Sequence, residues 1–536
     1  MNLSLRFSVV RFAFGLIGAA PILTTLAEAA APGAPTHLLT NDVANPIGTA
    51  AKPFFGWRVN DRDANEIQTK YRIRVASTAA ALAAGRGDMW DSGEVASRDQ
   101  NHVVYVGAAL ESDRQYFWQV RTWDKGGAPG PFSAPASFVV GPLKNEDWAG
   151  ASWVRRTTTD ADDYTYYRKT AELPNRPVRR ATVYVTSVHK YELFVNGRLV
   201  GKGPAFQYPQ YQYFNGFDIT ALVKPGANLF AVFNHWFGGG QGRATSARGV
   251  LLKAVVHYTD GSSVVIGSDG TWKQQQAPQW VLGQRGRNPG EGVGFIERID
   301  ARRIIPNWNQ LGFDDSAWAA VDVVGPQPTA QWVNPPQPDY TRIVENEIVP
   351  ASVTSLGEGA YLVDFGKVYA GMPRIAFTGG EPGQLVTMMG GYMLGTNGRV
   401  DPAKNQGTNL GFFAELSGTP FTYVPIEYVG MRYLQIENSP MPITPSNCKF
   451  VVRHSQLDGA RSSFDSPNAT LNAVWAFMKH SLTVNAQEEF VDTPTREKGG
   501  FLGDGTIMST VAMPVFHERL LSRRQLDEFI ASMDQF

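Results

Sequence analysis

Glu489-Phe490-Val491-Asp492-Thr493-Pro494-Thr495-Arg496-Glu497-Lys498-Gly499-Gly500-Phe501-Leu502-Gly503-Asp504 is the stretch around which this chain is organised. It crowds carboxylates and a guanidinium onto a segment whose Pro494, Gly499, Gly500 and Gly503 suit neither helix nor strand, so irregular backbone is expected there. Carboxylates held close together shift one another's pKa values, as general acid/base chemistry requires. The plainer alternative is a solvated charged loop. Helical patterns flank the stretch. Upstream, Leu471, Val474, Trp475, Met478 and Leu482 recur at the spacing of one amphipathic face, and Ser466-Pro467-Asn468 predicts an N-cap followed by proline at the first helical position. Downstream, residues 507–516 are apolar. Residues 517–533 repeat a helical pattern through Leu520, Leu521, Leu526, Phe529 and Ile530. The helical region of residues 460–536 is too short to close a helical core of its own kind.

Everything before it reads as β-structure. In residues 32–142, Lys70-Tyr71-Arg72-Ile73-Arg74-Val75 and residues 116–123 alternate as half-buried strands do. Trp90-Asp91-Ser92-Gly93 is expected to form a turn. Tryptophans and tyrosines on short strands resemble a fibronectin type III module, their rings serving as core rather than as a sugar-contacting surface. In residues 148–333, Asn196-Gly197 between two alternating runs predicts a hairpin, because a type I′ turn needs positive φ at both central positions. The strands and turns around it predict a jelly-roll sandwich. The glycine cluster of residues 238–242 lacks the Gly-Lys-Ser/Thr ending of a phosphate loop. Residues 340–453 predict a further β-sandwich, in which Asp364 and Arg432 are read as a structural ion pair rather than a ligand pair.

The bulk composition narrows the function. A length of 536 residues calls for several domains. Forty-nine basic and 49 acidic residues leave no net charge, which argues against nucleic acid or an anionic membrane as partner. A single cysteine, Cys448, excludes an intrachain disulfide framework and a cysteine metal cluster. The eight histidines show no metal-ligand spacing, no acidic loop has calcium spacing, and no cofactor is indicated. Residues 1–29 read as a signal peptide: Arg6 and Arg11 precede a mostly apolar run broken by Pro21, and Ala27-Glu28-Ala29 offers a cleavage site. The expectation is an exported protein, periplasmic or extracellular, with no membrane partner after cleavage.

The order of segments and several motifs resemble one family, the bacterial α-L-rhamnosidases of glycoside hydrolase family 78. The Asn196-Gly197 hairpin, Phe217-Asp218-Ile219-Thr220, Val363-Asp364-Phe365-Gly366 with Ala370-Gly371, Val429-Gly430-Met431-Arg432-Tyr433, and Ser463-Phe464-Asp465-Ser466 with Asn472 and Trp475 look like its landmarks. Asp492-x-Pro494-x-Arg496-Glu497 with Gly503-Asp504 is similar to its catalytic loop. The resemblance implies a mainly β, multidomain chain: a fibronectin III-like module (32–142), a jelly-roll N-terminal sugar-binding domain (148–333), a concanavalin-like β-sandwich (340–453), and the first helices of a six-hairpin (α/α) barrel (460–536). It implies Glu497 as proton donor, with Asp492, Arg496, Asp504 and Phe501 holding a terminal non-reducing rhamnose. Thr493 stands where the family often has cysteine, and Phe501 where tryptophan is common. The family inverts configuration, which needs a second carboxylate roughly 6.5–9.5 Å from the acid to activate water. The resemblance puts that base far along the barrel, and nothing in residues 505–536 fits the role. Expected substrates are rhamnosylated glycosides or polysaccharide, with little hydrolysis by residues 30–536 alone. The alternatives are a non-catalytic carbohydrate-binding remnant and an enzyme of this architecture acting on another deoxy-sugar linkage.

Overall fold

Alternating side chains build the first module, as a pleated strand puts successive residues on opposite faces. In the computed structural model, which describes residues 30–158, 161–204, 207–239, 246–288 and 294–533, Lys70–Ala76 buries Tyr71, Ile73 and Val75. It pairs antiparallel with Gln115–Trp123, which buries Tyr116, Trp118 and Val120. A second sheet of Gly33–Thr40, Phe54–Asn60 and Val103–Val104 covers them with Phe55 and Trp57. The aromatic rings are therefore core, as expected. Trp90–Asp91 differs from the expected turn: it is an edge strand against Arg74 and Val75. Asp91 binds Arg72 and Arg74, which fixes it there and holds its carboxyl down to about 2. The signal-peptide reading falls on residues outside those described, as does much of the glycine cluster. No described helix is long and apolar enough to cross a membrane.

Two sheets, antiparallel except where Gln337–Pro338 runs parallel to Tyr213–Asp218, form the jelly roll. Lys190–Val195 and Arg198–Gly203 make the expected hairpin, with φ of +49° at Asn196 and +79° at Gly197. Asn196 also ties the turn to the rest of the domain. Its side chain donates to Leu222 O and accepts from Leu229 N. The core between the sheets mixes aliphatic and aromatic side chains, with Val183, Val185, Leu193, Val232, Leu252 and Ala254 fully buried beside Tyr167 and Phe230. Trp153 and Trp332 stack with ring centroids 4.0 Å apart beside Gly249, where an added Cβ would lie 2.5 Å from the Trp332 ring.

The next domain is organised by one long strand, Ala360–Phe377, in a nine-stranded sheet. Arg432 grips Asp364 bidentately at 2.9 and 2.8 Å, a cross-strand ion pair as read from the sequence. One strand, Glu297–Asp300, comes from the stretch read as jelly roll. It runs parallel to Gly411–Glu415 in this sheet, so the two β-domains share chain.

Beyond α1 (Ala79–Ala83), three helices follow the sheet: α2 (Ala469–Asn485), α3 (Leu502–Phe516) and α4 (Leu520–Ser532). The cap of α2 is Asn468 rather than Ser466. Its side chain accepts from the Thr470 and Leu471 amides, leaving Pro467 outside the helix. Helix α3 also begins earlier than expected, so Gly503 and Asp504 are helical; an acid in the first turn is favoured there by the helix dipole. Of the predicted apolar face of α2, Leu482 is buried and Trp475 packs on the small helical core. Leu471, Val474 and Met478 are about half exposed, because only one side of α2 meets the sheet and α3. The N-terminal module reaches α4: Asp42 pairs with Arg519 at 2.8 Å and Arg523 at 2.6 Å, and Arg523 lies over the Phe54 ring.

Trp332→Ala is expected to weaken the jelly roll by about 3–5 kcal/mol, the range for emptying a large aromatic site. Denaturant unfolding followed by tryptophan fluorescence checks this; an unchanged midpoint would show that the Trp153–Trp332 stack adds nothing.

Candidate functional site

The charged stretch is irregular from Ala486 to Gly500 because two different surfaces hold it. On the sandwich side, Gly430 N donates to Thr495 Oγ1 at 2.9 Å and to Pro494 O, and Thr495 returns its hydroxyl to Gly430 O. Gly430 is required by this approach: a Cβ there would lie 2.4 Å from Thr495 Oγ1 and 2.7 Å from Pro494 Cγ. On the helical side, the Gln525 amide of α4 brackets the Phe490 peptide, accepting from its N–H at 3.0 Å and donating to its carbonyl at 3.2 Å. Gly500 lies against Glu489, where a Cβ would be 2.1 Å from the carboxylate.

Lys498 is the deepest anchor. It has φ +55°, and its ammonium is 3.3 Å from Glu427, donates to Tyr428 O and lies 4.1 Å from the Tyr428 ring centre. Glu427 also pairs with Lys190 of the jelly roll, and Arg453 of the sheet pairs with Glu488 at 2.5 Å. Lys190 lies 3.8 Å from Glu488 as well. Three cations and two carboxylates from three domains thus meet around one tyrosine ring, and each of these buried charges has an opposite charge beside it. Although burial works against the Arg453 cation, Glu488 holds its pKa above the ordinary arginine value.

The residues singled out from the sequence lie on the outer side of this loop. Asp492 Oδ1 accepts from Gly499 N at 2.9 Å, and Asp492 N donates to Gly499 O, so the two close a small ring of backbone. Burial pushes the Asp492 carboxyl up; amides of Gly499 and Thr493 and the Arg496 charge pull it down, and nearby Asp504 adds to the upward shift. The net direction is upward. Arg496 and Glu497 form an ion pair, half-exposed on the arginine side, and among the described residues Arg496 Nε has no hydrogen-bond partner. Phe501, at the N-cap of α3, is about half exposed and covers Gly499, where a Cβ would be 2.6 Å from the ring. Asp504 lies in the first turn of α3. The structure therefore brings Asp492, Arg496, Glu497, Phe501 and Asp504 into one surface region.

Sequence reasoning missed the anchors. Lys498 sits in the quoted stretch and its neighbours Gly499 and Gly500 mark a tight turn, but Glu427, Lys190 and Arg453 carry no local signal. Behind the loop, Glu489 meets Glu528, which burial and the Glu489 charge push well above the ordinary range against the pull of Arg524, 3.0 Å away. Among the described residues no cluster of histidine, cysteine and carboxylate side chains has metal-ligating geometry.

Four family models match in chain order: the Rha78A-like N-terminal immunoglobulin domain over residues 35–144, the α-L-rhamnosidase N-terminal domain over 176–344, the bacterial α-L-rhamnosidase concanavalin-like domain over 354–454 and the bacterial α-L-rhamnosidase six-hairpin glycosidase domain over 460–535. An α-L-rhamnosidase of Formosa agariphila is 27% identical over 518 residues, spanning 87% of this chain and 52% of the relative. One of Alteromonas sp. is 24% identical, spanning 89% of this chain and 54% of the relative. The chain thus spans about half the length of these relatives. The fold is similar to that of the α-L-rhamnosidase from Dictyoglumus thermophilum (TM-score 0.82, 24% identity, 92% of this chain and 56% of that one). It is also similar to that of the Streptomyces avermitilis α-L-rhamnosidase complexed with L-rhamnose (TM-score 0.81, 20% identity, 94% and 65%).

Because its pKa is raised, Asp492 keeps a proton in the native state that the unfolded chain has lost. That contribution is complete below the ordinary aspartate value, about 3.9, and disappears as pH rises through the raised value. Asp492→Asn keeps the Oδ1 acceptor and removes the titration. The melting temperature of the wild type relative to this variant is therefore expected to fall as pH rises from about 4; a constant difference would contradict the upward shift.

Proposed function

We propose that this chain, which belongs to the bacterial α-L-rhamnosidase family, carries the acid side of a site that removes terminal non-reducing α-L-rhamnose from glycosides or polysaccharide. In this reading Glu497 protonates the leaving oxygen. Asp492 and Asp504 accept from ring hydroxyls, Arg496 donates to them, and the half-exposed Phe501 ring lies against an apolar edge of the sugar. The observation that carries the reading is the contrast in how charges are held. Lys498 and Glu427 are almost wholly buried against partners, whereas Arg496 and Glu497 form an ion pair with each other on a partly exposed surface beside Asp492.

That pairing has a mechanistic consequence. A carboxyl that donates a proton has to be neutral first, and a guanidinium resting on it opposes protonation. When Arg496 turns to sugar hydroxyls, Glu497 loses its countercharge and takes up the proton it will deliver. Substrate binding and acid formation are thereby one event. Family membership supports inversion as the stereochemical course, with a second carboxylate activating water from the opposite face. The described acidic side chains beyond the loop have other work. Glu518 accepts from the Leu521 and Ser522 amides, Glu528 pairs with Arg524, and Asp527 lines a separate cleft with Asn41 and Phe54. The leader-like residues 1–29 support action outside the cytoplasm.

The test is a thermal-shift titration with L-rhamnose on residues 30–536. Stabilisation is expected in the wild type, retained by Glu497→Gln and clearly reduced by Asp492→Ala, with turnover of an aryl α-L-rhamnoside at or near background. Absence of any shift, or a shift indifferent to Asp492→Ala, would remove the loop as a rhamnose subsite.

A further inference from the structure

A second concavity lies away from the loop, between the jelly roll and the nine-stranded sheet. It encloses about 490 Å³, and none of Asp492, Arg496, Glu497, Phe501 or Asp504 lines it. That volume is within the range of small-molecule sites, roughly 300–1,000 Å³. Its jelly-roll wall is aromatic. Trp308 stacks on Tyr166 with centroids 3.9 Å apart and meets the Phe194 ring edge-on at 5.5 Å, and Trp280 lies beside them. Trp308 and Trp280 are both only partly buried. Facing them is a polar strip centred on Lys202, whose ammonium bridges Glu192 at 2.8 Å and Glu345 at 2.9 Å. The hydroxyl-binding groups are thus supplied by both domains, since Glu192 and Lys202 belong to the jelly-roll hairpin and Glu345 to the sheet.

We infer that this cleft binds a neutral saccharide, with a sugar ring against Trp308 and Trp280 and its hydroxyls on Lys202, Glu192 and Glu345. The residue types select that class. Aromatic faces attract the polarised C–H groups of a pyranose, and ring stacking of this kind costs little side-chain entropy. Every charge of the strip is already in an ion pair, so a ligand that both donates and accepts can join it without leaving a charge unpartnered. An anionic sugar would meet a lining of five carboxylates against four cations, and an apolar ligand would strip water from these charges with no return. The cleft also touches Lys190 and Glu488, members of the buried ion cluster beneath the catalytic loop. The inference does not depend on the loop being a rhamnose site.

Isothermal titration of residues 30–536 tests it, using L-rhamnose, a neutral rhamnosyl-glucose disaccharide and D-galacturonate as probes. All are run in the Asp492→Ala background so that binding at the loop cannot contribute. Saturable binding of a neutral probe is expected, weakened at least tenfold by Trp308→Ala and by Glu345→Gln, with galacturonate binding more weakly than either neutral probe. Circular dichroism and melting show whether Trp308→Ala folds; if it does not, Glu345→Gln alone decides. No saturable binding of a neutral probe, binding indifferent to Glu345→Gln, or a preference for galacturonate would each overturn the inference. Loss of the loop signal with retention of this one would refute the rhamnose subsite and leave the cleft standing.

Discussion

The buried pairing of Lys498 with Glu427 is the interaction on which the rest of the molecule depends. Both groups are almost completely hidden from water, and a charge so placed is tolerable only with its partner in position. Removing one partner of such a pair costs about 3–5 kcal/mol. Lys190 and Arg453 extend the demand to the jelly roll and the sheet, because each satisfies a carboxylate that another domain has buried. The domains are consequently not beads on a string. Each presents an incomplete set of charges, and only their joint arrangement is electrically acceptable.

The loop above that cluster shows why some positions must be glycine. Gly430 permits the strand to come within hydrogen-bonding distance of Thr495, and Gly500 leaves room for the Glu489 carboxylate. Both are close approaches of loop to backbone, so Asp492 and Glu497 sit on a platform clamped from two directions. Precision in such a site comes from its supports. Arg496 and Glu497 are left on the outside of the platform, where they can exchange partners without disturbing the anchors.

Local features were legible in the sequence. The Asn196-Gly197 turn is readable because two adjacent positive φ values demand those residue types, and the strands of Lys70–Ala76 and Gln115–Trp123 because period-two alternation has one physical cause. The Asp364–Arg432 pair was placed by its type alone. Where the reading departed, a long-range contact decided. Trp90 and Asp91 look like a turn until Arg72 and Arg74 are opposite them. Asn468 caps α2 where Ser466 was an equally good candidate. The strand Glu297–Asp300 carries no mark of the sheet it joins. The charge cluster was invisible for the same reason: Lys190, Glu427 and Lys498 lie far apart in the sequence, and no periodicity links them. Leu471, Val474 and Met478 were recognised as an apolar face, yet a helical wheel does not state which side finds a partner.

Asp42 lies near the beginning of the described chain and Arg523 near its end, 481 positions apart, yet they touch. A contact of that separation closes a ring of chain that takes in the jelly roll and the sheet, so it forms only when both are in place. With the latch open, α2 would still rest on the sheet, while α4 would lose the two arginine contacts that tie it to the N-terminal module.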